Sequence, residues 1–168
     1  MGLIRKLLER IMPPHVETVK GGLYAPITGN YIPLAEIGDG VFSEGILGPG
    51  CGIEPEEERV VAPCNGTITI VADTQYAIGL RSEDGAELLI HVGMDTVEMK
   101  DGGFSAKVRK GDKVVCGQTL MTFSSAKIKA AGHPDTAAFI VTNADELGEL
   151  QLDTGKRYEK TEKFGQIG

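Results

Sequence analysis

Two extended runs on either side of a short turn constrain the fold of this chain more than any other stretch. The first run is TQYAIGLRS (residues 74–82), the second is AELLIHVG (residues 86–93), and Glu-Asp-Gly separates them. Such runs around a short acidic turn that contains glycine are typical of a β-hairpin. A hairpin symmetric about Glu83-Asp84 would place Tyr76 directly opposite His91, with their β-carbons about 5 Å apart.

The second run predicts a strand with two different faces. Period-two alternation places Leu88, Ile90 and Val92 on one face and His91 on the other, together with neighbours such as Leu89. A lone strand histidine is more often a half-buried packing residue than a functional one. An imidazole with one unprotonated nitrogen is also a candidate nucleophile, so both interpretations apply to the residue taken alone.

Composition and turn spacing predict an all-β chain. A length of 168 residues suits one domain with a sizeable core, and 23 glycines lie among short apolar runs. From Gly22 onward these features predict an antiparallel β-sandwich or barrel. Two Ala-Pro pairs, Ala25-Pro26 and Ala62-Pro63, each precede a glycine turn and a strand, which suggests an internal duplication.

Charge and cysteine content exclude several classes of protein. A formal net charge of −7 argues against nucleic acid as a partner, because phosphate binding needs clustered lysine and arginine, and it is compatible with a basic protein partner. Cys51, Cys64 and Cys116 lack metal-ligand spacing. They are predicted to be small buried thiols in a reducing cytoplasm.

The amino terminus predicts a short amphipathic helix. Apolar residues recur at helical spacing over residues 3–12, four charged residues occupy the other face, and Pro13-Pro14 ends the pattern. The segment is too short to span a bilayer. It either docks on the body of the protein or lies on an anionic membrane surface.

Several stretches resemble one known family, the glucose-family IIA domains of the bacterial phosphoenolpyruvate-dependent sugar phosphotransferase system. The strongest match is LLIHVGMDTVEMKDGGF (residues 88–104), the active-site segment of that family. The other matching stretches are residues 22–55, 60–71, 108–123 and 139–147.

The resemblance implies a fold and an activity. It implies an antiparallel β-sandwich of the duplicated hybrid-motif kind over residues 21–168, preceded by an amphipathic leader and linker over residues 1–20. His91 would accept a phosphoryl group from the phosphocarrier protein HPr and donate it to the cysteine of a sugar-specific IIB domain. No cofactor or metal is implied. The location would be cytoplasmic, with residues 3–12 touching the inner face of the membrane, as in related proteins that carry a similar leader.

One position departs from the family pattern. The family has a second histidine fifteen residues before the first, and here Tyr76 stands in that place. Tyr76 and Thr74 supply hydroxyls that can reach phosphate oxygens, but a tyrosine cannot become cationic near neutral pH. It also removes an imidazole that could bind zinc at contacts with regulatory targets. The alternative function is therefore a regulatory binding module with weak or no phosphotransfer.

The stretch GDGVFSEGILGPG is similar to the apolar docking patch of these domains. It implies a partner surface with an apolar centre and an acidic rim, which suits a partner that carries arginine. The implied residues are Asp39, Val41, Phe42, Ile46, Leu47, Asp95 and Asp145. The other interpretation is that Phe42 and Ile46 belong to the core and that the aspartates are turn residues.

Two further classes of protein do not fit the sequence. A LytM-type metallopeptidase needs several histidines and an aspartate around zinc, and the chain contains no His-x-His. A biotinyl or lipoyl carrier needs a lysine displayed at the tip of a hairpin in a characteristic turn, which residues 107–123 lack.

Overall fold

The computed structural model describes residues 2–4, 15–99 and 102–168 of the chain. Over these ranges the backbone forms short strands joined by turns and a few short helices. The strands are β1 (Gly22–Tyr24), β2 (Gly29–Pro33), β3 (Gly50–Pro55), β4 (Arg59–Val61), β5 (Gly66–Val71), β6 (Ala77–Ser82), β7 (Glu87–Val92), β8 (Phe104–Ala106), β9 (Lys113–Val114), β10 (Thr119–Phe123), β11 (Ala137–Val141), β12 (Leu150–Leu152), β13 (Lys156–Tyr158) and β14 (Lys163–Ile167). The 3-10 helices are Leu34–Ile37, Phe42–Glu44 and Thr96–Glu98, and the α-helices after the linker are α1 (Ser125–Ala130) and α2 (Ala144–Leu147).

The strands form one large and two small sheets. The large sheet has eight strands in the order β13-β2-β3-β11-β7-β6-β5-β9, and the small sheets have the orders β1-β14-β12 and β4-β10-β8. Every neighbouring pair is antiparallel. Apolar residues of all three sheets share one core, in which Phe164, Leu120 and Ile90 are buried. The predicted all-β antiparallel fold is confirmed, and among the described strands the sheets stay open instead of closing into a barrel.

The two Ala-Pro pairs mark a real internal duplication. The Tyr24 N–H donates to the Pro63 carbonyl at 2.9 Å, and the Val61 N–H donates to the Pro26 carbonyl at 2.8 Å. In each case the N–H of the residue before one Ala-Pro pair donates to the proline carbonyl of the other pair. The two segments thus make a self-complementary contact, as about a two-fold axis.

The duplication extends over all three sheets. Tyr24 pairs with Lys163 in one small sheet and Val61 pairs with Thr119 in the other, with a register shift next to each pair. The strand order of the large sheet is also symmetric, with β13 and β9 at its edges and β11 and β7 at its centre. The two halves of the fold therefore meet where β7 pairs with β11.

The hairpin forms, but its predicted register is wrong by one residue. Ala77, not Tyr76, pairs with His91, because the turn is centred on Asp84. The Gly85 N–H bonds the Ser82 carbonyl at 3.0 Å, and Gly85 has a φ of 92°. This is a three-residue loop in which a left-handed glycine forms a bulge, so the turn contains one residue more than the symmetric version.

The three cysteines are free and buried, as the sequence predicts. Burial raises the pKa of Cys51 to about 12 and that of Cys116 to about 12, which keeps both as unreactive thiols. They therefore serve as small apolar core residues.

Most of the predicted amphipathic leader lies outside the described residues. Residues 2–4 are helical, and the side chains of Leu3 and Ile4 are exposed. Over the part of the chain described here, no helix has the length and apolar character needed to cross a bilayer.

The duplication predicts where the fold carries local strain. The Thr161 N–H donates to the Ala25 carbonyl and the Gly117 N–H donates to the Ala62 carbonyl, both at 2.9 Å, so Thr161 and Gly117 occupy equivalent places. Both have positive φ, 75° for Thr161 and 89° for Gly117. A β-branched residue is strained there, whereas glycine is not.

We expect Thr161→Gly to raise the free energy of unfolding by about 1 kcal/mol, because relief of left-handed strain exceeds the added chain entropy. Urea denaturation measures the change. Thr119→Gly is the matched control, since it removes the same side chain from extended strand β10 and should destabilise the protein. A loss of stability in Thr161→Gly would contradict the strain at this position.

Candidate active site around His91

His91 lies in a central strand of the large sheet. It belongs to β7, between β11 and β6, and pairs with Ala138 on one side and Ala77 on the other. The predicted alternation is correct, since Ile90 and Val92 are fully buried in the main core while His91 is half-buried on the other face. Two flanking strands therefore fix the backbone beneath the imidazole.

The hydrogen bond of the imidazole defines its tautomer. Nδ1 of His91 lies 2.8 Å from the Gly93 carbonyl oxygen, which can only accept, so Nδ1 must carry a proton. In the neutral ring Nε2 is then an unprotonated nitrogen with a free lone pair. Among the described side chains, the buried polar atom that lacks a partner is the Thr74 hydroxyl.

Two aromatic rings border the imidazole. The ring centroid of Phe42 lies 5.0 Å from that of His91, and the centroid of Tyr76 lies 4.9 Å away, both in edge-to-face geometry. Phe42 is buried, and together with Met94 and Ile140 it forms a second apolar cluster on the outer face of the large sheet. The ring of His91 is thus held between Phe42 and Tyr76.

Tyr76 reaches His91 although Ala77 occupies the paired position. It ends the loop of residues 72–76, and its carbonyl accepts the Val92 N–H at 2.9 Å. Within this loop Gln75 has a φ of 66°, and its side-chain oxygen accepts the Ala106 N–H at 2.6 Å. Thr74 directly precedes Gln75, and its buried hydroxyl has no partner within the described part of the chain.

The turn after His91 contains Thr96, which the sequence analysis did not single out. Gly93 has a φ of 76° and Asp95 a φ of 59°, so the chain is left-handed twice within three residues. The fully buried Thr96 donates its hydroxyl to the Val92 carbonyl at 2.8 Å. The sequence alone gives little indication of this hydrogen bond, because many threonines that lie four residues after a strand residue are exposed.

The acidic residues predicted at this surface occupy different environments. The carboxylate of Asp39 accepts the backbone N–H groups of Phe42 at 3.0 Å and Ser43 at 2.9 Å, so it caps the turn that carries Phe42. Partial burial opposes its ionisation, but these bonds hold the pKa of Asp39 below its ordinary value. Asp95 is exposed in the turn after β7, and Asp145 is exposed in the first turn of α2.

The predicted apolar patch divides into two kinds of residue. Val41, Ile46 and Leu47 are 46%, 68% and 42% exposed, whereas Phe42 is buried against His91. Val97, which the sequence analysis did not include, is 56% exposed just after the His91 turn. Exposed aliphatic residues thus lie on both chain segments that border the histidine.

Burial dominates the electrostatics of His91. It lowers the pKa of the imidazole below its ordinary value, while the bond to the Gly93 carbonyl and the negative charges of Asp39 and Asp95 oppose that shift. The neutral ring is therefore the dominant form at neutral pH. Over the described residues, no three side chains from histidine, cysteine, aspartate and glutamate converge as ligands for a metal.

Comparison with known proteins identifies the family. The model of the family described as phosphoenolpyruvate-dependent sugar phosphotransferase system, EIIA 1, matches residues 21–147. The chain is 37% identical over 150 residues to a glucose-specific EIIA component from Halalkalibacterium halodurans, a match that covers 89% of this chain and 84% of that protein.

A multicomponent relative and a solved structure agree with that match. The chain is 46% identical over 137 residues to a beta-glucoside-specific EIIBCA component from Bacillus subtilis, which covers 77% of this chain and 22% of that protein. It thus spans about a fifth of that relative's length. The glucose permease IIA from Mycoplasma capricolum superposes with a TM-score of 0.76 at 27% identity, over 86% of this chain and 93% of that one. The chain therefore belongs to the EIIA family of the phosphoenolpyruvate-dependent sugar phosphotransferase system, a family of glucose-type phosphotransferase components.

Proposed function

We propose that this protein is a phosphocarrier in which Nε2 of His91 accepts a phosphoryl group from phospho-HPr and donates it to the cysteine of a sugar-specific IIB domain. The observation that carries the proposal is the state of the His91 ring. Its Nδ1 proton is bonded to the Gly93 carbonyl and burial favours the neutral form, so Nε2 is the nitrogen that carries the lone pair.

In each of the two transfers, one bond to phosphorus forms while another breaks, and Nε2 takes part in both. In the first, the Nε2 lone pair forms a bond to phosphorus while the bond between phosphorus and HPr breaks, and its electron pair leaves with HPr. In the second, the sulfur of a IIB thiolate attacks phosphorus, and the electron pair of the N–P bond returns to Nε2. Since the His91 proton stays on Nδ1 throughout, the ring needs no proton transfer of its own.

The neighbouring hydroxyls suit the oxygens of the transferred group. Phosphoryl transfer depends mainly on positioning and on stabilisation of the equatorial oxygens. Tyr76 contacts the His91 ring, and the Thr74 hydroxyl in the same loop is buried without a partner among the described residues. A buried hydroxyl that lacks a partner costs free energy, so a phosphoryl oxygen that accepts its proton would recover a hydrogen bond.

The surface around His91 suits two protein partners in turn. Val41, Ile46 and Leu47 supply exposed apolar contacts, and Asp39 and Asp95 supply negative charge that acts on His91. An apolar centre with an acidic rim fits a partner with apolar and basic residues. The Bacillus subtilis relative, named as an EIIBCA component, carries its B component on the same chain, which supports a IIB domain as one partner.

We expect incubation with phosphoenolpyruvate, the general phosphotransferase enzyme and HPr to add one phosphate to the protein. Intact mass measures the product. His91→Gln should abolish it, whereas His133→Gln, which alters another of the three histidines, should leave it unchanged. A wild-type protein that stays unphosphorylated, or a His91→Gln variant that is still phosphorylated, would contradict the proposal.

The lowered pKa of His91 predicts the pH range of phosphoryl acceptance. An ordinary histidine becomes half protonated near pH 6.5 and loses its nucleophilic lone pair there. Since the pKa of His91 is lower, the midpoint of the decline in acceptance rate should lie at a more acidic pH than about 6.5. Proton NMR titration of the His91 ring measures its pKa directly, and a midpoint at or above about pH 6.5 would contradict the prediction.

Tyr76 favours the alternative function, a regulatory binding module with weak or no phosphotransfer. A phenol can donate one hydrogen bond, but unlike an imidazole it carries no positive charge near neutral pH. Because it contacts His91 directly, it would give less help to charge that develops during release to IIB.

We expect Tyr76→His to increase the rate of phosphoryl donation to a IIB domain by about tenfold, since a cationic neighbour stabilises developing charge. Single-turnover transfer from the phosphorylated protein measures it. Tyr76→Phe is the matched control, because it keeps the ring and removes only the hydroxyl. An unchanged donation rate in Tyr76→His would show that the tyrosine does not limit transfer.

A further inference from the structure

Thr96 contacts the turn that contains the Gly93 carbonyl, the acceptor of the His91 ring proton. Its side chain is fully buried, and its hydroxyl lies 2.8 Å from the Val92 carbonyl oxygen and 3.4 Å from the Gly93 carbonyl oxygen. A threonine hydroxyl has a single proton, so it donates mainly to Val92. The Gly93 carbonyl remains available to accept the Nδ1 proton of His91.

The methyl group of Thr96 packs against Gly93 and also restricts the peptide that contains the Gly93 carbonyl. A β-carbon placed on Gly93 would lie 2.4 Å from Cγ2 of Thr96, so the methyl group packs directly against the glycine. Gly93 also faces the Pro134 carbonyl and the Ile128 side chain of α1, at 3.3 Å and 3.4 Å from the same position. Little space is left in which this peptide could rotate.

The turn needs such support because its backbone is unusual. Gly93 and Asp95 both have positive φ, and left-handed residues persist only where the surrounding structure holds them. The hydroxyl of Thr96 spans from residue 96 back to residue 92 and closes the turn that contains both. Without it, the buried Val92 carbonyl loses its side-chain donor, and the Gly93 peptide loses a constraint on its direction.

We propose that Thr96 is a positioning residue for His91: its hydroxyl and methyl group hold the Gly93 carbonyl in place, and the carbonyl keeps the ring proton on Nδ1. The effect on phosphotransfer rests on the proposed function of His91, whereas the effect on the ring proton does not. In metal sites, mutation of an outer partner that orients a histidine typically changes affinity or activity by about 10-fold to 100-fold, and we expect an effect at the lower end of that range here.

The test compares Thr96→Val, which removes the hydroxyl at nearly constant volume, with Thr96→Ser, which keeps it. Nitrogen-15 NMR of the His91 ring should show a single Nδ1–H tautomer in wild type and Thr96→Ser, and a mixture of tautomers in Thr96→Val. The rate of phosphoryl acceptance from phospho-HPr should fall about tenfold in Thr96→Val, with the KM for phospho-HPr unchanged because the exposed docking residues are intact. Thr96→Ser, which keeps the hydroxyl and loses only the methyl contact, should retain most of the wild-type rate.

A merely structural role would give a different result. Thr96→Val would then melt at a lower temperature yet keep the wild-type tautomer and, well below its melting temperature, the wild-type rate, which would overturn the proposal. If Thr96→Val does not fold, Thr96→Cys replaces it, since a thiol is a weaker donor and should give an intermediate tautomer ratio. A wild-type tautomer in a folded Thr96→Cys variant would count against the role of the hydroxyl.

The NMR readout separates this inference from the proposed function. If phospho-HPr fails to phosphorylate the wild-type protein, the phosphocarrier function is wrong. The NMR comparison of Thr96→Val with wild type still decides whether Thr96 controls the tautomer of His91. If wild type is phosphorylated and the ring is unaffected by Thr96→Val, only the positioning role is wrong.

Discussion

The pairing of β7 with β11 is the contact on which the rest of the fold depends. It joins the two halves of the duplicated structure at the centre of the large sheet. Ile90 and Phe139, which face each other in this pair, are both fully buried in the main core. The opposite face of the same strands is covered by the second cluster around Phe42 and Ile140. A histidine placed here rests on a backbone that is hydrogen-bonded on both sides and packed on both faces.

The two halves also explain why the site forms on only one of two equivalent positions. Ala137 pairs with Ile53 in one half and Leu88 pairs with Leu80 in the other, and these two pairs are equivalent in the duplication. His91 lies three residues after Leu88 and Ile140 lies three residues after Ala137, so the two residues occupy equivalent positions. The connection from β2 to β3 is long (residues 34–49) and the equivalent one from β5 to β6 is short (residues 72–76). The long loop buries Ile140 and brings Phe42 to His91, while the short loop brings Tyr76. The two halves thus have equivalent strands but loops of different length, and together these loops enclose the imidazole of His91.

The sequence predicts the parts of this arrangement that depend on local pattern. Alternation in residues 87–92 predicts which face of β7 is buried, because side-chain direction follows directly from strand geometry. The register of the hairpin was wrong because a left-handed Gly85 adds one residue to the turn, and turn type is not visible in composition alone. Thr96 was missed because its role depends on burial, which comes from α1 and the loop at Pro134 packing over Gly93. Contacts between distant segments therefore account for most of what the sequence did not predict.

The environment of His91 favours acceptance of a phosphoryl group more than its release. Burial lowers the pKa of the ring and keeps Nε2 unprotonated, which helps the nucleophile before transfer. In the proposed function, phosphorylation would add negative charge at a half-buried position where, among the described residues, Asp39 and Asp95 already act on the ring with negative charge. Within this surrounding, Tyr76 offers a hydrogen-bond donor but no positive charge to offset it. In the proposed function, a basic residue on the docked IIB domain would offset this negative charge and make release depend on complex formation.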